Sequence, residues 1–188
     1  MEKFLLGVVV TLIVLALGIY CFFALGMAPV ATSASAMPFE KKLAKLGLNK
    51  RIEKEMPKDP PAIQMDDAAY QAAASVYKDN CAFCHGLPNQ QRPPAATGMY
   101  PRPPQLFRGH GVTDDEPGET YWKVANGIRL TGMPAYKPSL NDQQLWQVTM
   151  LLKNADKLPA SAQQVLGGEI TQEQEKAGDP DHDHDHKK

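Results

Sequence analysis

The run Cys81-Ala82-Phe83-Cys84-His85 places two thiols three residues apart and an imidazole directly after the second thiol. Residues three apart lie on one face of a helical turn, so both thiols can reach the same ligand. This C-x-x-C-H spacing is the attachment signature of a c-type haem, with the histidine as the proximal iron ligand. The run predicts one covalently attached haem c, bound through Cys81 and Cys84, with His85 on the iron.

Two other roles for a C-x-x-C pair fit the surrounding sequence less well. A structural zinc site needs a second pair of Cys or His ligands at similar spacing, and the remaining cysteine, Cys21, lies in an apolar run. A thioredoxin-like redox pair needs a βαβ neighbourhood, whereas the sequence around the motif is helical in pattern and rich in proline. Haem attachment is therefore the favoured interpretation.

The iron needs a second axial ligand, or the site stays open. The run 131–134 (TGMP) places the thioether of Met133 48 residues after His85, on a Gly/Pro-bounded loop between two predicted helices. A methionine alone is more often core filler, but the flanking glycine and proline favour an extended loop that can cross a haem face. Met99, only 14 residues beyond His85, and His110 are the alternative ligands.

An uncharged stretch near the N-terminus predicts a membrane anchor. No charged residue occurs between Phe4 and Phe39, and residues 4–27 are almost entirely apolar. A helix of this length spans about 36 Å, enough to cross a bilayer core of roughly 30 Å. A cleaved signal peptide is the alternative, because the run 34–36 (ASA) resembles a cleavage site. Signal peptides have apolar cores of only about 7–15 residues, which favours an uncleaved transmembrane helix over residues 1–27.

A basic segment follows the predicted anchor. Residues 28–65 form a predicted linker, and within it residues 39–58 carry seven basic and three acidic side chains. Apolar residues recur in this segment at helical spacing, on both sides of Gly47. A basic amphipathic helix beside an anchor can lie on anionic headgroups; a solvated helix, or a docking arm against a partner, has equal support. The run 58–61 (KDPP) ends helical structure and precedes the next domain.

Residues 66–160 have the pattern of a small all-α domain. Asp66 or Asp67 is a predicted N-cap for an alanine-rich helix that leads into the C-x-x-C-H run. The pair Asn141-Asp142 is a predicted cap for a last helix with an apolar face. No strand pattern of useful length occurs. Such a domain is small for a self-sufficient core, and a bound haem would supply apolar bulk.

The connection between these two helices is predicted to be mostly loop. Residues 86–111 contain six prolines and no sustained period. A short helix is predicted over residues 118–126, and Gly127 is predicted to end it in a left-handed conformation.

Charge and composition exclude one class of partner. Residues 66–160 balance nine acidic against nine basic side chains, and the whole chain has a net charge of −1. No nucleic-acid-binding footprint is present in this domain.

Residues 161–188 are predicted to be a polar, disordered tail. Its run 181–186 alternates Asp and His, but without a fixed scaffold a disordered segment is favoured over a metal site.

In the order of its motifs, the region 66–160 resembles the class I (monohaem) cytochrome c family. The matching parts are a helix bearing Tyr77, the run CAFCHG, a Pro-x-Leu element at Pro104-Gln105-Leu106, a short helix, the run TGMPAY, and a last helix bearing Trp146. Two departures are Ala73, where the family often has glycine, and a proline-rich insert over residues 92–104 (RPPAATGMYPRPP). This insert is predicted to shape a partner surface or to shield the haem edge.

The resemblance implies roles for individual residues. In such proteins the proline carbonyl accepts a hydrogen bond from the proximal histidine, so Pro104 is expected to orient His85. Methionine ligation raises the reduction potential and gives the ferric protein a far-red absorption band, expected here from Met133. Tyr77, Trp122 and Trp146 are expected to pack against the haem and the helix crossing. Two roles are open for Arg102 and Tyr100: they hydrogen-bond a haem propionate, or they lie on a loop that is exposed to solvent.

The predicted function is single-electron transfer between respiratory or photosynthetic redox partners by a membrane-anchored monohaem c-type cytochrome, without catalysis. Families with this motif imply a single-pass protein of the cytoplasmic membrane, with the haem domain on the periplasmic side. A fixed cytochrome subunit of a larger membrane oxidoreductase complex is one alternative. An open-haem peroxidase or sensor is another.

Overall fold

The structure is a computed structural model and describes residues 1–167. Within this range no β-strand occurs, so the predicted all-α class is confirmed. The helices are α1 (Glu2–Ala24), α2 (Glu40–Glu55), α3 (Asp67–Asn80), α4 (Ala82–His85), α5 (Pro94–Thr97), α6 (Pro117–Asn126), α7 (Asp142–Lys153), a 3₁₀ turn (Ala155–Lys157) and α8 (Ala160–Leu166). The chain forms two compact units, one ending at Leu43 and the other beginning at Ala44.

The first unit contains α1, the apolar helix predicted as an anchor. Its mean hydropathy reaches 2.7, and none of its residues is buried. Within the described residues it is the one helix long and apolar enough to cross a membrane, a criterion of length and composition that an N-terminal signal sequence also meets.

The core of the second unit lies where α3 packs against α7 and α8. The side chain of Asp66 accepts a hydrogen bond from Ala69 N at 2.8 Å, which confirms the first of the two predicted N-caps for α3. The predicted cap of α7 is also confirmed, as a capping box between Asn141 and Gln144. The apolar face of α7 is buried against the small residues of α3 and contributes Leu145, Val148, Leu151 and Leu152. Each buried leucine contributes about 1.5–3 kcal/mol relative to an exposed one.

The helical domain extends further toward the C-terminus than the sequence pattern indicated. The predicted tail began at residue 161, but α8 occupies Ala160–Leu166, and both Ala162 and Leu166 are 0 % exposed. A seven-residue helix has too few turns to show a clear apolar period, and burial against α3 stabilises it. Residues 168–188, including the predicted Asp/His run, lie outside the described residues.

The predicted linker over residues 28–65 also requires correction. The second half of α2 packs on the helical domain: Ile52 is 3 % exposed and Met56 is also buried. Trp122 Nε1 donates a hydrogen bond to Glu55 at 3.3 Å. A β-carbon on Gly118 would lie only 2.0 Å from the carbonyl oxygen of Pro57, so glycine permits this close approach. The segment 52–57, which includes the C-terminal end of α2, is therefore part of the domain that follows it.

Candidate functional site

The C-x-x-C-H run forms one tight turn that continues from α3 into α4. Cys81 N donates to Tyr77 O at 2.8 Å, and His85 N donates to Cys81 O at 2.9 Å. The buried Tyr77 hydroxyl donates to Gly86 O at 2.8 Å, and its ring packs edge-to-face on Phe107. The motif is thus anchored at both ends, and Tyr77 packs within the protein core.

The two motif cysteines are free thiols in different environments. Burial, with a smaller contribution from Cys84, raises the pKa of Cys81 to about 12. Burial also raises the pKa of the half-buried Cys84. Metal sites bind the thiolate form, which these environments disfavour. Among residues 1–167 no group of three or more Cys, His, Asp or Glu side chains is placed to hold a metal ion, so a zinc site has no support here.

His85 is oriented by the backbone of the proline-rich segment. Its Nδ1 lies 2.7 Å from the carbonyl oxygen of Pro104, an oxygen that can only accept, so Nδ1 is the donor. The lone pair is then on Nε2, the nitrogen that has the character of a metal ligand. Arg92 Nη1 donates to Pro103 O at 2.6 Å and holds the adjacent backbone in place.

Met133 lies on a closed loop that follows α6. Ile128 N donates to Met133 O at 3.2 Å, and Met133 N donates to Thr131 Oγ1 at 3.1 Å. The loop returns over Gly127, where a β-carbon would lie 2.6 Å from Ala135 N. Gly127 has φ +66° with an extended ψ of −177°. The predicted left-handed stop is therefore replaced by another conformation of positive φ, which still favours glycine. The close approach of the returning backbone explains this difference.

A hydrogen bond joins the methionine loop to the cysteine motif. The hydroxyl of Tyr136 donates to Asn80 O at 2.6 Å, directly before Cys81. Burial, with smaller contributions from Cys81 and Cys84, raises the pKa of Tyr136 to about 12. The phenol therefore remains a neutral donor throughout the physiological pH range.

These elements surround one cleft with mostly apolar walls. Its walls include Leu106, Val124, Ile128 and Leu152, and all five predicted site residues line it: Cys81, Cys84, His85, Pro104 and Met133. In the described part of the chain, neither Met99 nor His110 is among the lining residues, and His110 is exposed. Two neutral thiols, an oriented imidazole and a thioether around an apolar cleft are a donor set that fits haem c.

A family model described as cytochrome c oxidase, cbb3-type, subunit III matches residues 67–150. Residues 67–150 form a class I-like monohaem c-type cytochrome domain. The predicted resemblance is thereby confirmed. A c-type cytochrome domain binds haem c, transfers electrons and works with redox partner proteins. No curated protein sequence matches the chain.

The other residues singled out in the sequence analysis differ in whether they line the cleft of the cytochrome domain. Arg102 lines the cleft, whereas Tyr100 is not among its lining residues within the described range. Trp146 is buried and stacks on Tyr121 with ring centroids 4.2 Å apart, at the packing of α6 on α7. Trp122 contacts α2 through Glu55. Both tryptophans lie outside the described lining of the cleft, so packing between helices is their role here.

Two contacts around the site of the cytochrome domain were not predicted from the sequence. Tyr136 belongs to the quoted TGMPAY run, but its hydrogen-bond partner precedes it by 56 residues. Met99 packs beside the backbone of Gly132, next to Met133. A polar side chain at the end of the Met133 loop was the available signal for the first contact, and the glycine before Met133 was the signal for the second.

Proposed function

We propose that this protein is a membrane-anchored monohaem cytochrome that carries single electrons through a haem c with His85 and Met133 as axial ligands. The observation that supports this proposal most is the convergence of the two thiols, the oriented imidazole and the thioether on one cleft. In this proposal Cys81 and Cys84 form the two thioether links.

The chain's own residues suit electron transfer with little rearrangement. A haem bound at this cleft supplies one-electron iron chemistry, and methionine ligation raises its potential. Pro104 O restrains His85 by accepting from its Nδ1 at 2.7 Å. The Met133 loop is closed by its own backbone hydrogen bonds and joined to Asn80 by Tyr136. A site restrained on both sides keeps its geometry when the charge on the iron changes.

The proposed location is the cytoplasmic membrane, with the haem domain on the periplasmic side. Support for the anchor is α1, with its length of 23 residues and mean hydropathy of 2.7. The periplasmic side is proposed because covalent haem attachment in families with this motif takes place outside the cytoplasmic membrane.

A second candidate function is a fixed cytochrome subunit of a membrane oxidoreductase complex. The description of the matching family model, an oxidase subunit, favours it. The two candidates differ in association: a fixed subunit co-elutes with other chains after extraction in a mild detergent, whereas a mobile carrier elutes alone.

An optical spectrum of the purified protein tests the proposed ligation. A His/Met haem gives a low-spin spectrum with a far-red band in the ferric state and little binding of carbon monoxide in the ferrous state. A high-spin spectrum without that band, together with ready carbon monoxide binding, would instead support the open-haem peroxidase or sensor.

A further inference from the structure

The proline-rich segment over residues 92–104 contacts both sides of the haem cleft. At its C-terminal end, Pro104 O accepts the hydrogen bond from His85 Nδ1. In its middle, Met99 reaches the loop that carries Met133. One short segment therefore touches the surroundings of both proposed axial ligands.

The backbone of this segment places Met99 firmly. The short helix α5 precedes it, with Ala96 completely buried. Gly98 N and Met99 N then donate to Ala95 O and Ala96 O, each at 3.3 Å, as the helix ends.

A hydrogen bond between its two ends also restrains the segment. Arg92 Nη1 donates to Pro103 O at 2.6 Å, which joins its two ends. A loop closed in this way has fewer conformations to lose when its side chains make contacts. Met99 is thus restrained by α5, which precedes it, and by the Arg92–Pro103 hydrogen bond, which closes the segment around it.

The contact between Met99 and Gly132 is close. A β-carbon placed on Gly132 would lie 3.0 Å from Met99 Sδ and 3.4 Å from its Cε. The side chain of Met99 is half-buried and lies over the backbone immediately before Met133. Loss of the Met99 side chain would leave space into which this backbone could move.

We propose that Met99 is a positioning residue for Met133: its thioether covers Gly132 and limits the movement that would withdraw Met133 from the iron. This inference rests on the proposed His85/Met133 ligation. Methionine suits the role because its flexible, polarisable side chain fills irregular gaps without a polar group to satisfy.

The test is the rate at which imidazole displaces the methionine ligand in the ferric, full-length holoprotein. Met99→Ala should raise that rate by about tenfold or more, because the opened loop is populated more often. Met99→Leu should stay within about threefold of wild type, since a volume-conserving change keeps the packing. Met65→Ala is the matched control: Met65 is also half-buried, lies before α3, and is not among the described lining residues of the cleft. It should leave the rate unchanged.

A second substitution separates this role from a general loss of stability. Gly132→Ala alone should raise the imidazole rate, because its methyl group displaces Met99. In the double variant Met99→Ala/Gly132→Ala the methyl occupies part of the vacated space, so the rate should fall below that of Met99→Ala. Gly132 lies outside the left-handed region, so alanine fits its backbone. If Met99→Ala does not mature, Gly132→Ala still tests the same contact.

The outcomes distinguish the inference from the proposed ligation. A wild-type rate in Met99→Ala, in a protein whose wild type shows the far-red band, overturns the positioning role alone. If the wild-type protein lacks the band, the proposed His85/Met133 ligation is wrong, and the positioning role that rests on it is wrong as well. Loss of the band in Met99→Ala with its retention in Met133→Ala would make Met99 the ligand and overturn both.

Discussion

Tyr136 donates a hydrogen bond from its phenol to the backbone carbonyl oxygen of Asn80, with 2.6 Å between the two oxygens. Asn80 ends α3 directly before Cys81, and Tyr136 follows Met133 by three residues. This bond joins the two motifs of the cytochrome domain independently of any bound group. The backbone of Tyr136 is also held, because its N–H donates to Val124 O at 3.1 Å.

Removal of this hydroxyl should loosen the site. Tyr136→Phe leaves the half-buried carbonyl of Asn80 without this donor, at an expected cost of about 1–3 kcal/mol. We expect a lower melting temperature and loss of the far-red band at a lower temperature than in wild type. Tyr121→Phe is the control, since it also removes a phenol hydrogen bond, to Asp142, but lies away from the cleft. Equal thermal loss of the band in both variants would contradict a role specific to Tyr136.

Replacement of Met133 should change the iron environment. A thioether favours ferrous iron, so Met133→His should lower the reduction potential and give a low-spin bis-imidazole spectrum if the loop adjusts. Met133→Ala should bind carbon monoxide in the ferrous state. Both variants should lose the far-red band, whereas His110→Ala should retain it because His110 is exposed and outside the described lining of the cleft. A persistent band in Met133→Ala would exclude this methionine as the ligand.

The two motif cysteines should each carry one covalent link. Cys81→Ala and Cys84→Ala should each yield poorly matured protein with diminished haem staining after denaturing electrophoresis, because each thiol has its own vinyl partner. Cys21→Ala is the control and should stain like wild type, since Cys21 lies within α1. Undiminished covalent haem in both motif variants would refute the attachment proposed here.

The contact of α2 with the cytochrome domain should contribute measurably to stability. Ile52→Ala should lower the free energy of unfolding by about 2–5 kcal/mol, the range for truncating a buried large aliphatic side chain. Leu46→Ala, in the same helix but at a residue that is 59 % exposed, should have little effect. Denaturant unfolding followed by haem absorbance measures both. Equal effects from the two substitutions would show that the packing of Ile52 does not stabilise the domain.

The fate of α1 is open to a direct measurement. An uncleaved anchor predicts that the mature protein sediments with membranes and resists extraction by salt or alkali. N-terminal sequencing of the mature chain decides between the alternatives. A chain that begins at Met37, after the ASA run, would identify a cleaved signal.

The sequence alone was sufficient for features whose causes are local. The spacing of Cys81, Cys84 and His85 follows from one helical turn, and the caps of α3 and α7 involve residues three apart. An 18-residue apolar window is likewise a property of consecutive residues. These features could be read directly because the interacting groups are close in the chain.

The order of the motifs indicated the cytochrome c family and led to five candidate site residues. The structure places these five around one cleft, and their roles toward the iron remain predictions. The sequence favoured Met133 over Met99 by its spacing from His85 and its flanking proline, although both methionines follow a glycine. Which of the two methionines lines the cleft depends on the path of residues 92–104.

Only the tertiary structure revealed the packing of α2 on α6, the inclusion of α8 in the domain, and the contacts of Tyr136 and Met99. Ile52 and Leu46 are both apolar residues of one basic helix, yet the first is buried and the second exposed. Tyr136 reaches a carbonyl 56 residues away, and Met99 covers a glycine 33 residues away. Local pattern accounts for the helices that the sequence predicted, such as α3 and α7. Contacts between distant residues depend on how the helices pack, and neither periodicity nor spacing encodes that arrangement.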